Sequence, residues 1–423
     1  ITVAYSETVT SASVLDANDL VFGNVGDFTS SAFGTDSTDL ISGSVSSTTV
    51  TLGTESSVAD TAEGSGNIAI TSQNTFSLTD GANTNSTLAA QSQATFVDGA
   101  SPVKTDQSYK DTNGDGTINR LDVTFTETIG QDECEAGDFT FAGDDAGSFA
   151  VSSCATSGAD LQLTLSGAPS NDTNVAITLA YTAANGVASS LDDSSGNAVA
   201  DISAASVSDA AAPVKTSQSY RDANGDGAVD RLDVYFTETI AFDECDVADY
   251  TIGGADVGSI SVSSCAVSGN ELRLTVGSAA ASDTNLTLTL AYTAANGTAN
   301  SLDDSSGNAV ADISAASLTD AASPVATALA YKDIDGDGTV DRFDVTFTET
   351  IALDECDAVD YTIGGADAGS TSVSSCAVSG NDLRLTVGNA TANDTALTLT
   401  LAYTSVNGTA DSLDDSAGNA VAN

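Results

Sequence analysis

One twelve-residue segment occurs three times in this sequence, and its first residues are Asp111, Asp222 and Asp333. The copies read DTNGDGTINRLD, DANGDGAVDRLD and DIDGDGTVDRFD. A constant spacing this long indicates whole domains in tandem. We therefore predict four domains, which are a divergent N-terminal unit and three regular repeats: 1–100, 101–211, 212–322 and 323–423.

Each copy has the ligand spacing of a twelve-residue calcium loop. Oxygen-bearing side chains occupy positions 1, 3, 5, 9 and 12, and Gly occupies position 6, where such a loop turns sharply. Ca²⁺ takes about six to eight oxygen ligands, one of which is the backbone carbonyl at position 7. The predicted calcium ligands are Asp111, Asn113, Asp115, Thr117, Asn119 and Asp122; Asp222, Asn224, Asp226, Ala228, Asp230 and Asp233; and Asp333, Asp335, Asp337, Thr339, Asp341 and Asp344.

The alternative interpretation of the loops is an Asp- and Gly-rich turn that binds no metal, and three matching copies favour the metal site. The copies depart from an EF-hand at position 12, which is Asp instead of Glu. After the loop, Leu121, Val123 and Phe125 alternate with polar residues, as in a half-buried strand. We therefore predict that each loop joins two strands and that Ca²⁺ rigidifies a hairpin.

Charge and composition exclude several functions. Ten Lys and Arg against sixty Asp and Glu give a formal net charge of −50, which makes nucleic acid and anionic membranes poor partners. The acidic residues are spread along the chain, which fits either a highly solvated surface in a saline habitat or extensive calcium binding. His, Met and Trp are absent, so imidazole catalysis and imidazole metal ligation are excluded.

The cysteines form one pair in each regular repeat: Cys134 and Cys154, Cys245 and Cys265, Cys356 and Cys376. Two thiols without histidine are a poor zinc site, so a disulfide within each repeat is predicted, together with an oxidising, extracellular location on a cell surface. Export agrees with the glycosylation sequons at Asn85, Asn171, Asn285, Asn296, Asn389, Asn393 and Asn407. We expect a processed mature chain without a membrane span.

Short alternating segments define the fold class. Each regular repeat contains about seven short strands separated by turns, which predicts an all-β fold of tandem immunoglobulin-like β-sandwich domains. The first unit has related ends: the segment from Ile1 to Val9 matches the segment from Leu121 to Ile129. We therefore expect the same fold in the first unit.

The order of the segments FTETI, TLAYT and SLDDSSGNAVA in each regular repeat resembles the Ig-like repeats of large prokaryotic surface proteins and adhesins. The resemblance extends over nearly all of 101–423. It implies the fold and a surface location, and it does not imply a particular ligand.

Further acidic residues recur at equivalent positions: Glu7, Glu127, Glu238 and Glu349, and the pairs Asp192–Asp193, Asp303–Asp304 and Asp414–Asp415. One interpretation is a second calcium site between neighbouring domains. The interpretation we favour from sequence is a solvated turn whose Asp and Asn side chains bond the local backbone. Paired carboxylates also occur in glycosidases, but here they repeat on turns with few aromatic residues nearby, so we predict that the chain is not an enzyme.

The terminal units suggest an assembly. Ile1 aligns with Leu121, so the first unit is expected to lack its opening strand and calcium hairpin; the last unit is expected to lack its closing strand. An open sheet edge can accept a strand from another subunit. We therefore predict an extracellular filament or pilus subunit that polymerises head to tail by strand donation, with residues 1–10 as the donor and the chain itself as the partner.

Two alternatives to the filament stay open. The first segment can be an ordinary strand of its own domain. The chain can also be the stalk of a cell-surface adhesin or part of a surface-layer protein, in which the domains act as spacers.

Overall fold

The computed structural model is all-β, as the alternating segments predict. It describes residues 98–131, 135–183, 191–242, 246–277, 284–294, 302–353, 357–388, 396–405 and 413–422, together with the backbone of seven strands before residue 98. Among these residues, no helix has the length and apolarity that a membrane crossing requires.

In the first hundred residues, the part of the chain that the structure describes includes seven strands in two sheets. The strands are β1 (Thr2–Ser11), β2 (Leu20–Gly23), β3 (Ser44–Thr49), β4 (Asn67–Ile70), β5 (Leu78–Thr79), β6 (Thr84–Asn85) and β7 (Ala94–Thr95). Their orders are β3-β1-β5-β6 and β2-β4-β7.

The three regular repeats contribute the other strands, in corresponding order. The strands of 101–211 are β8 (Lys104–Lys110), β9 (Arg120–Phe125), β10 (Ile129–Gln131), β11 (Phe139–Ala142), β12 (Ala150–Ser157), β13 (Asp160–Ser166), β14 (Thr178–Tyr181), β15 (Leu191–Asp193), β16 (Ile202–Ser206) and β17 (Ser208–Asp209). Those of 212–322 are β18 (Lys215–Arg221), β19 (Arg231–Phe236), β20 (Ile240–Phe242), β21 (Tyr250–Gly253), β22 (Ser261–Ser268), β23 (Glu271–Gly277), β24 (Thr289–Tyr292), β25 (Leu302–Asp304), β26 (Ile313–Ser317) and β27 (Thr319–Asp320). Those of 323–423 are β28 (Ala326–Lys332), β29 (Arg342–Phe347), β30 (Ile351–Leu353), β31 (Tyr361–Gly364), β32 (Ser372–Ser379), β33 (Asp382–Gly388), β34 (Thr400–Tyr403) and β35 (Leu413–Asp415). One-turn 3-10 helices precede β11, β21 and β31 at Ala136–Asp138, Val247–Asp249 and Ala358–Asp360.

The repeat 212–322 shows the arrangement most completely. One sheet has the order β22-β23-β19-β18-β27, a second has the order β21-β24-β26, and β20 pairs with β25. Neighbouring strands are antiparallel except β27, which runs parallel to β18. The loop 222–230 therefore connects two paired strands, β18 and β19, as predicted for the calcium hairpin.

The inward side chains of these sheets form the core of the repeat. Leu232, Leu274 and Leu302 have no exposed surface, and Tyr220 and Phe236 are 1% exposed. The alternation in β23 is regular: Leu272, Leu274 and Val276 point into the core while the residues between them are more exposed. A corresponding core lies in 323–423 around Phe343, Leu385 and Leu413. The apolar positions that identified the strands are therefore those that pack inside.

Gln218 holds β26, the closing strand of its repeat, by hydrogen bonds. Its amide Nε2 donates to the carbonyl oxygens of Ala316 at 2.6 Å and Ser317 at 3.3 Å, and its side chain is buried. The equivalent position in the next repeat is Leu329, which is 46% exposed. Among the described residues of 323–423, the two main sheets are β28-β29-β33-β32 and β31-β34, each one strand smaller than in the preceding repeat.

By packing, the chain divides into two compact units. Residues 1–109, 119–168 and 176–208 form the first unit; residues 110–118, 169–175 and 209–423 form the second. The short segments 110–118 and 169–175, which belong by sequence to the repeat 101–211, therefore pack with the residues that follow them. The four predicted domain boundaries stay a prediction.

The first strand is paired within its own chain. In β1, Thr2, Val3 and Ala4 lie opposite Thr49, Thr48 and Ser47 of β3, and the end of β1 pairs with β5. The structure therefore differs from the predicted donor segment that leaves its domain, and it agrees with the alternative in which 1–10 form an ordinary strand. An alternating segment satisfies its backbone hydrogen bonds in either setting, so the sequence pattern did not distinguish the two.

Candidate calcium centres

The three predicted loops share one backbone conformation. In the third loop, Asp333 accepts hydrogen bonds from the backbone N–H groups of Gly336 at 2.6 Å and Gly338 at 3.0 Å. In the other loops, Asp111 and Asp222 accept the same two bonds from the equivalent glycines. The glycine at position 6 has a positive φ in each copy, which is 89° at Gly338. The first aspartate and the glycine therefore shape the turn in the way the motif predicts.

The third loop brings three carboxylates together. One side-chain oxygen from each of Asp333, Asp335 and Asp341 lies within 4.8 Å of the others. They occupy loop positions 1, 3 and 9, which are predicted ligand positions. The other two loops have Asn at position 3, and the first also has Asn at position 9. Oxygen ligands of this kind suit a hard cation such as Ca²⁺ or Mg²⁺ and do not suit a soft metal.

Position 12 is where the loops differ from the prediction. Asp122, Asp233 and Asp344 were expected as ligands, but each forms an ion pair with the arginine at loop position 10. Arg231 Nε lies 2.7 Å from Asp233 Oδ1, and Arg221 Nε lies 2.8 Å from its Oδ2. Asp344 is held in the same way by Arg342 and Lys332. The carboxylate at position 12 therefore anchors the base of the hairpin.

Strand geometry explains this difference. Alternate side chains of a strand lie on one face, so residues two apart are neighbours. Arg342 and Asp344 begin β29 and share its outer face, while Phe343 between them is buried in the core. The ion pairs also lower the pKa of Asp344: burial would raise it, but the bonds from Arg342 and Lys332 outweigh that effect. In an EF-hand a helix follows the loop, so the side chain at position 12 is not placed beside position 10 by strand alternation.

A second set of carboxylates converges at three buried sites, one for each regular repeat. Each site, called here an acid triad, has one side-chain oxygen from each of three residues within 4.8 Å of the others. Each combines the glutamate of FTETI, the second aspartate of the LDD turn and an aspartate of the preceding linker. The triads are Asp98–Glu127–Asp193, Asp209–Glu238–Asp304 and Asp320–Glu349–Asp415.

The triads are buried, which corrects the expectation of a solvated turn. Glu238 is 5% exposed and Asp304 is 4% exposed, while Asp209 is half-buried. The predicted local bonds are present: Asp304 accepts from the backbone N–H groups of Ser306 at 2.7 Å and Asn308 at 2.9 Å. Asp304 therefore bonds the backbone of its own turn and also belongs to the triad.

Charge repulsion in the triad is large without a cation. Two carboxylates about 4.8 Å apart repel by roughly 3 kcal/mol at an effective dielectric constant of about 20. Neither Glu238 nor Asp304 pairs with Lys or Arg among the described residues. Glu238 accepts one hydrogen bond, from the hydroxyl of Thr173, and its other oxygen has no donor among the described residues. A buried carboxylate facing two others therefore has acceptor capacity that a cation can fill.

The pKa values of the triad residues follow their surroundings. Burial, reinforced by the charges of Asp209 and Asp304, raises the pKa of Glu238 to about 7, although the hydrogen bond from Thr173 opposes the shift. Burial and the charge of Asp415 raise the pKa of Asp320. Burial would also raise the pKa of Asp193, but its hydrogen bonds from the turn, chiefly from Asn197, lower it overall. A proton or a metal ion thus competes for the glutamate of the triad.

The linker aspartates Asp98, Asp209 and Asp320 were missed from the sequence. Each lies four residues before a proline, in DGASP, DAAAP and DAASP, at the same 111-residue spacing as the loops. That recurrence was a usable signal, but nothing in it identified the partners. Glu127, Glu238 and Glu349 were named from sequence, whereas the first member of each Asp pair, such as Asp303, lies outside the triads.

The first of the predicted calcium loops packs beside the second triad. Gly116, at loop position 6, is buried, and a Cβ added there would lie 2.8 Å from Cγ2 of Thr237. The backbone carbonyl of Gly116 accepts a hydrogen bond from the N–H of Asp172 at 3.0 Å. Thr237 immediately precedes Glu238 in sequence. Loop and triad therefore meet through adjacent residues of one compact unit.

The remaining predicted sites are partly outside the described residues. Cys134, Cys245 and Cys356 lie outside them, while Cys154, Cys265 and Cys376 lie on β12, β22 and β32, and none of these three is a free thiol. The pairing therefore stays a prediction. Of the sequon asparagines, Asn171 and Asn285 are exposed, and Asn85 is described by its backbone alone. Asn296, Asn389, Asn393 and Asn407 lie outside the described residues, as does the side chain of Glu7.

Comparison with known proteins gives only distant likenesses. No family model and no curated protein matches the chain. Among solved structures, the Escherichia coli adhesin FdeC is 11% identical, with 72% of this chain and 99% of that chain covered and a TM-score of 0.22. Domains 1–6 of the surface-layer protein SbsC are 14% identical, with 72% of this chain covered and a TM-score of 0.20. A longer SbsC structure is also 14% identical, with 75% covered and a TM-score of 0.18. The matches span 53% and 59% of the two SbsC chains. These TM-scores are too low to transfer a fold or a function to this chain.

Proposed function

We propose that this chain is a calcium-stiffened spacer of a cell-surface protein: a run of β-sandwich repeats that forms the stalk of an adhesin or part of a surface layer. The observation that carries the proposal is the acid triad. It recurs three times at the repeat spacing, and each time it joins a linker aspartate to two buried carboxylates of the following repeat. A cation bound there would fasten the linker to the repeat.

Calcium fits these sites by its chemistry. The triads and the third loop offer carboxylate oxygens, which are ligands for hard cations. Ca²⁺ takes about six to eight oxygen ligands, so three carboxylates leave coordination positions for further protein oxygens or water. The predicted ligands at loop positions 1, 3, 5, 7 and 9 remain candidates, whereas the carboxylates at position 12 serve the ion pairs described above.

Extracellular location is part of the proposal. Its support is one cysteine pair in each regular repeat, since structural disulfides persist in oxidising compartments. A strongly acidic chain also favours a well-hydrated surface over binding to nucleic acid. A spacer needs no catalytic site, so we propose that the chain is not an enzyme.

The filament hypothesis has less support than the spacer. It depends on residues 1–10 leaving their domain, and the structure pairs β1 with β3 and β5 of the same chain. We therefore keep polymerisation by strand donation as a prediction for separate testing, by comparing the assembly state of the chain with and without residues 1–10.

Small-angle scattering of the full chain, with Ca²⁺ and after its removal by chelation, tests the spacer. We expect a well-defined maximum dimension with Ca²⁺ and a broader distribution of lengths without it. Equilibrium dialysis with ⁴⁵Ca²⁺ should show several bound ions per chain. Absence of bound calcium, or identical scattering in both conditions, would overturn the proposal. Protease shaving of intact cells tests the location: a chain that is protected until the cells are lysed contradicts the surface assignment.

A further inference from the structure

We propose that Thr173 is a positioning residue of the second acid triad and Thr284 of the third. Each orients the glutamate of its triad through a hydrogen bond, so that the preceding repeat helps to set the calcium affinity of the next. This inference rests on the proposed function, because it assumes that the triads bind Ca²⁺. Neither threonine belongs to a calcium loop or to a triad.

The hydrogen bonds at Thr284 have a direction that the chemistry determines. Its hydroxyl lies 2.5 Å from Glu349 Oε1 and 2.7 Å from the hydroxyl of Thr348. The backbone N–H of Val325 donates to Thr348 Oγ1 at 3.0 Å. An ionised carboxylate only accepts, so the single hydroxyl proton of Thr284 goes to Glu349. Thr348 must then donate its own proton to Thr284.

The result is a chain of donors that ends on the triad glutamate: the N–H of Val325, the hydroxyl of Thr348, the hydroxyl of Thr284 and the carboxylate of Glu349. Each bond in such a chain polarises the next. All three side chains are buried, and Thr284 has no exposed surface. One oxygen of Glu349 is therefore fixed, and the rotation of its carboxylate toward Asp320 and Asp415 is restricted.

The same chain occurs at the preceding triad. Thr173, also without exposed surface, donates to Glu238 Oε1 at 2.5 Å and lies 2.5 Å from the hydroxyl of Thr237. The N–H of Val214 donates to Thr237 Oγ1 at 3.0 Å. The two copies have the same donors in the same order. This agreement indicates a built feature and not a chance contact of one side chain.

The threonines come from the preceding repeat by sequence. Thr173 belongs to 101–211 and Glu238 to 212–322, and Thr284 and Glu349 are related in the same way. Residues that orient metal ligands without touching the metal change affinity by roughly 10–100-fold when they are removed. The triads of 212–322 and 323–423 are therefore expected to reach their full affinity only when the preceding threonine holds the glutamate.

Calcium titration of the full chain against a chromophoric chelator provides the test. The variant Thr284→Val removes the hydroxyl at nearly constant volume and should weaken one site by about 10–100-fold. Thr284→Ser keeps the hydroxyl and should restore the affinity to within about 3-fold of the parent chain. The matched control is Thr346→Val, which removes a 2.8 Å bond to Asp382 outside the triads and should leave every site unchanged.

The outcomes separate this inference from the proposed function. Parent affinity in Thr284→Val, or equal weakening in the Val and Ser variants, would overturn the positioning role. If Glu349→Gln removes no site, the triad does not bind Ca²⁺ and the proposed function fails first. Circular dichroism of each variant with the metal chelated checks folding. If Thr284→Val does not fold, Thr173→Val and Thr173→Ser test the same role at the second triad. Parent affinity in Thr173→Val, or equal weakening in both variants, would overturn it.

Discussion

Arg231 and Asp233 lie two residues apart on β19, and the guanidinium of the first lies 2.7 Å from the fully buried carboxylate of the second. Asp233 also pairs with Arg221 on the other side of the loop. The variant Asp233→Asn should therefore lower the free energy of unfolding by about 3 kcal/mol, because two cations lose their partner. Chemical denaturation of the full chain, followed by the loss of β-sheet circular dichroism, measures this change.

The control is Asp230→Asn in the same loop. Asp230 occupies ligand position 9, and its carboxylate accepts a hydrogen bond from the N–H of Ala223 that Asn can also accept. This variant should weaken one calcium site and change stability little with calcium chelated, whereas Asp233→Asn should keep the same number of sites. If instead Asp233→Asn loses a calcium site and Asp230→Asn keeps all sites, position 12 is a calcium ligand.

The repeated spacing of the loop identified the residue at position 12, but its role as an ion-pair partner was not predicted. The pattern Leu121, Val123 and Phe125 correctly predicted a strand after the loop. A strand alternates its side chains, so the same pattern places Asp122 opposite to Leu121 and Val123 and on one face with Arg120. The prediction applied helix-based ligand numbering to a strand, and the ion pair is where that numbering fails.

Glu238→Gln should raise stability without calcium and reduce the stabilisation that calcium provides. In metal-free protein at pH 7.5, Gln removes one of three crowded carboxylate charges and keeps an acceptor for Thr173, so the free energy of unfolding should rise by about 2–3 kcal/mol. With saturating Ca²⁺, the variant lacks a charged ligand and should gain less stability from the metal than the parent chain. Thermal unfolding in the two conditions measures both effects. A variant that is less stable in both would show that Glu238 serves only as a structural acceptor.

The pH dependence of the metal-free chain follows from the same residue. The pKa of Glu238 is about 7 in the folded chain, against an ordinary value of 4.5. Between these pH values the folded state holds a proton that the unfolded state has released, so the free energy of unfolding falls as pH rises. This group contributes a fall of about 3 kcal/mol from pH 4.5 to 7.

Other carboxylates titrate in the same range, so the useful quantity is the difference between the parent chain and Glu238→Gln. We expect that difference to grow from pH 4.5 to 7 and to level off above it, measured by denaturant unfolding after calcium is removed on a chelating resin. A difference that is constant with pH would contradict the raised pKa.

The acid triads show how far sequence alone reaches at the site. Glu238 and Asp304 were identified by their recurrence, and the local bonds of Asp304 were predicted from its turn. The site itself required three elements far apart in sequence, because Asp209, Glu238 and Asp304 meet only when the linker, the turn between β19 and β20, and β25 are in place. Burial also depends on that assembly, so a turn that reads as solvated becomes nearly inaccessible. Periodicity carries no such long-range information.

The three loops should differ in calcium affinity in a defined order. Positions 1, 3, 5 and 9 carry two aspartates in the first loop, three in the second and four in the third, with Asn at the others. Affinity rises with the number of charged ligands in loops of this kind. We therefore expect the third loop to bind Ca²⁺ most tightly and the first most weakly. The three carboxylates of the third loop that converge within 4.8 Å agree with this order.

Removing one loop at a time assigns the sites. The variants Asp111→Asn, Asp222→Asn and Asp333→Asn each remove the charge at position 1. The Asp accepts one turn-forming N–H bond on each of its two oxygens, and Asn keeps one acceptor oxygen for the turn. Calcium titration of the full chain should show that Asp333→Asn removes the tightest of the three loop sites and Asp111→Asn the weakest. If Asp333→Asn instead removes the weakest, charge count does not control affinity in these loops. The ligand sets would then be completed mainly by backbone carbonyls and water, which are the same in all three.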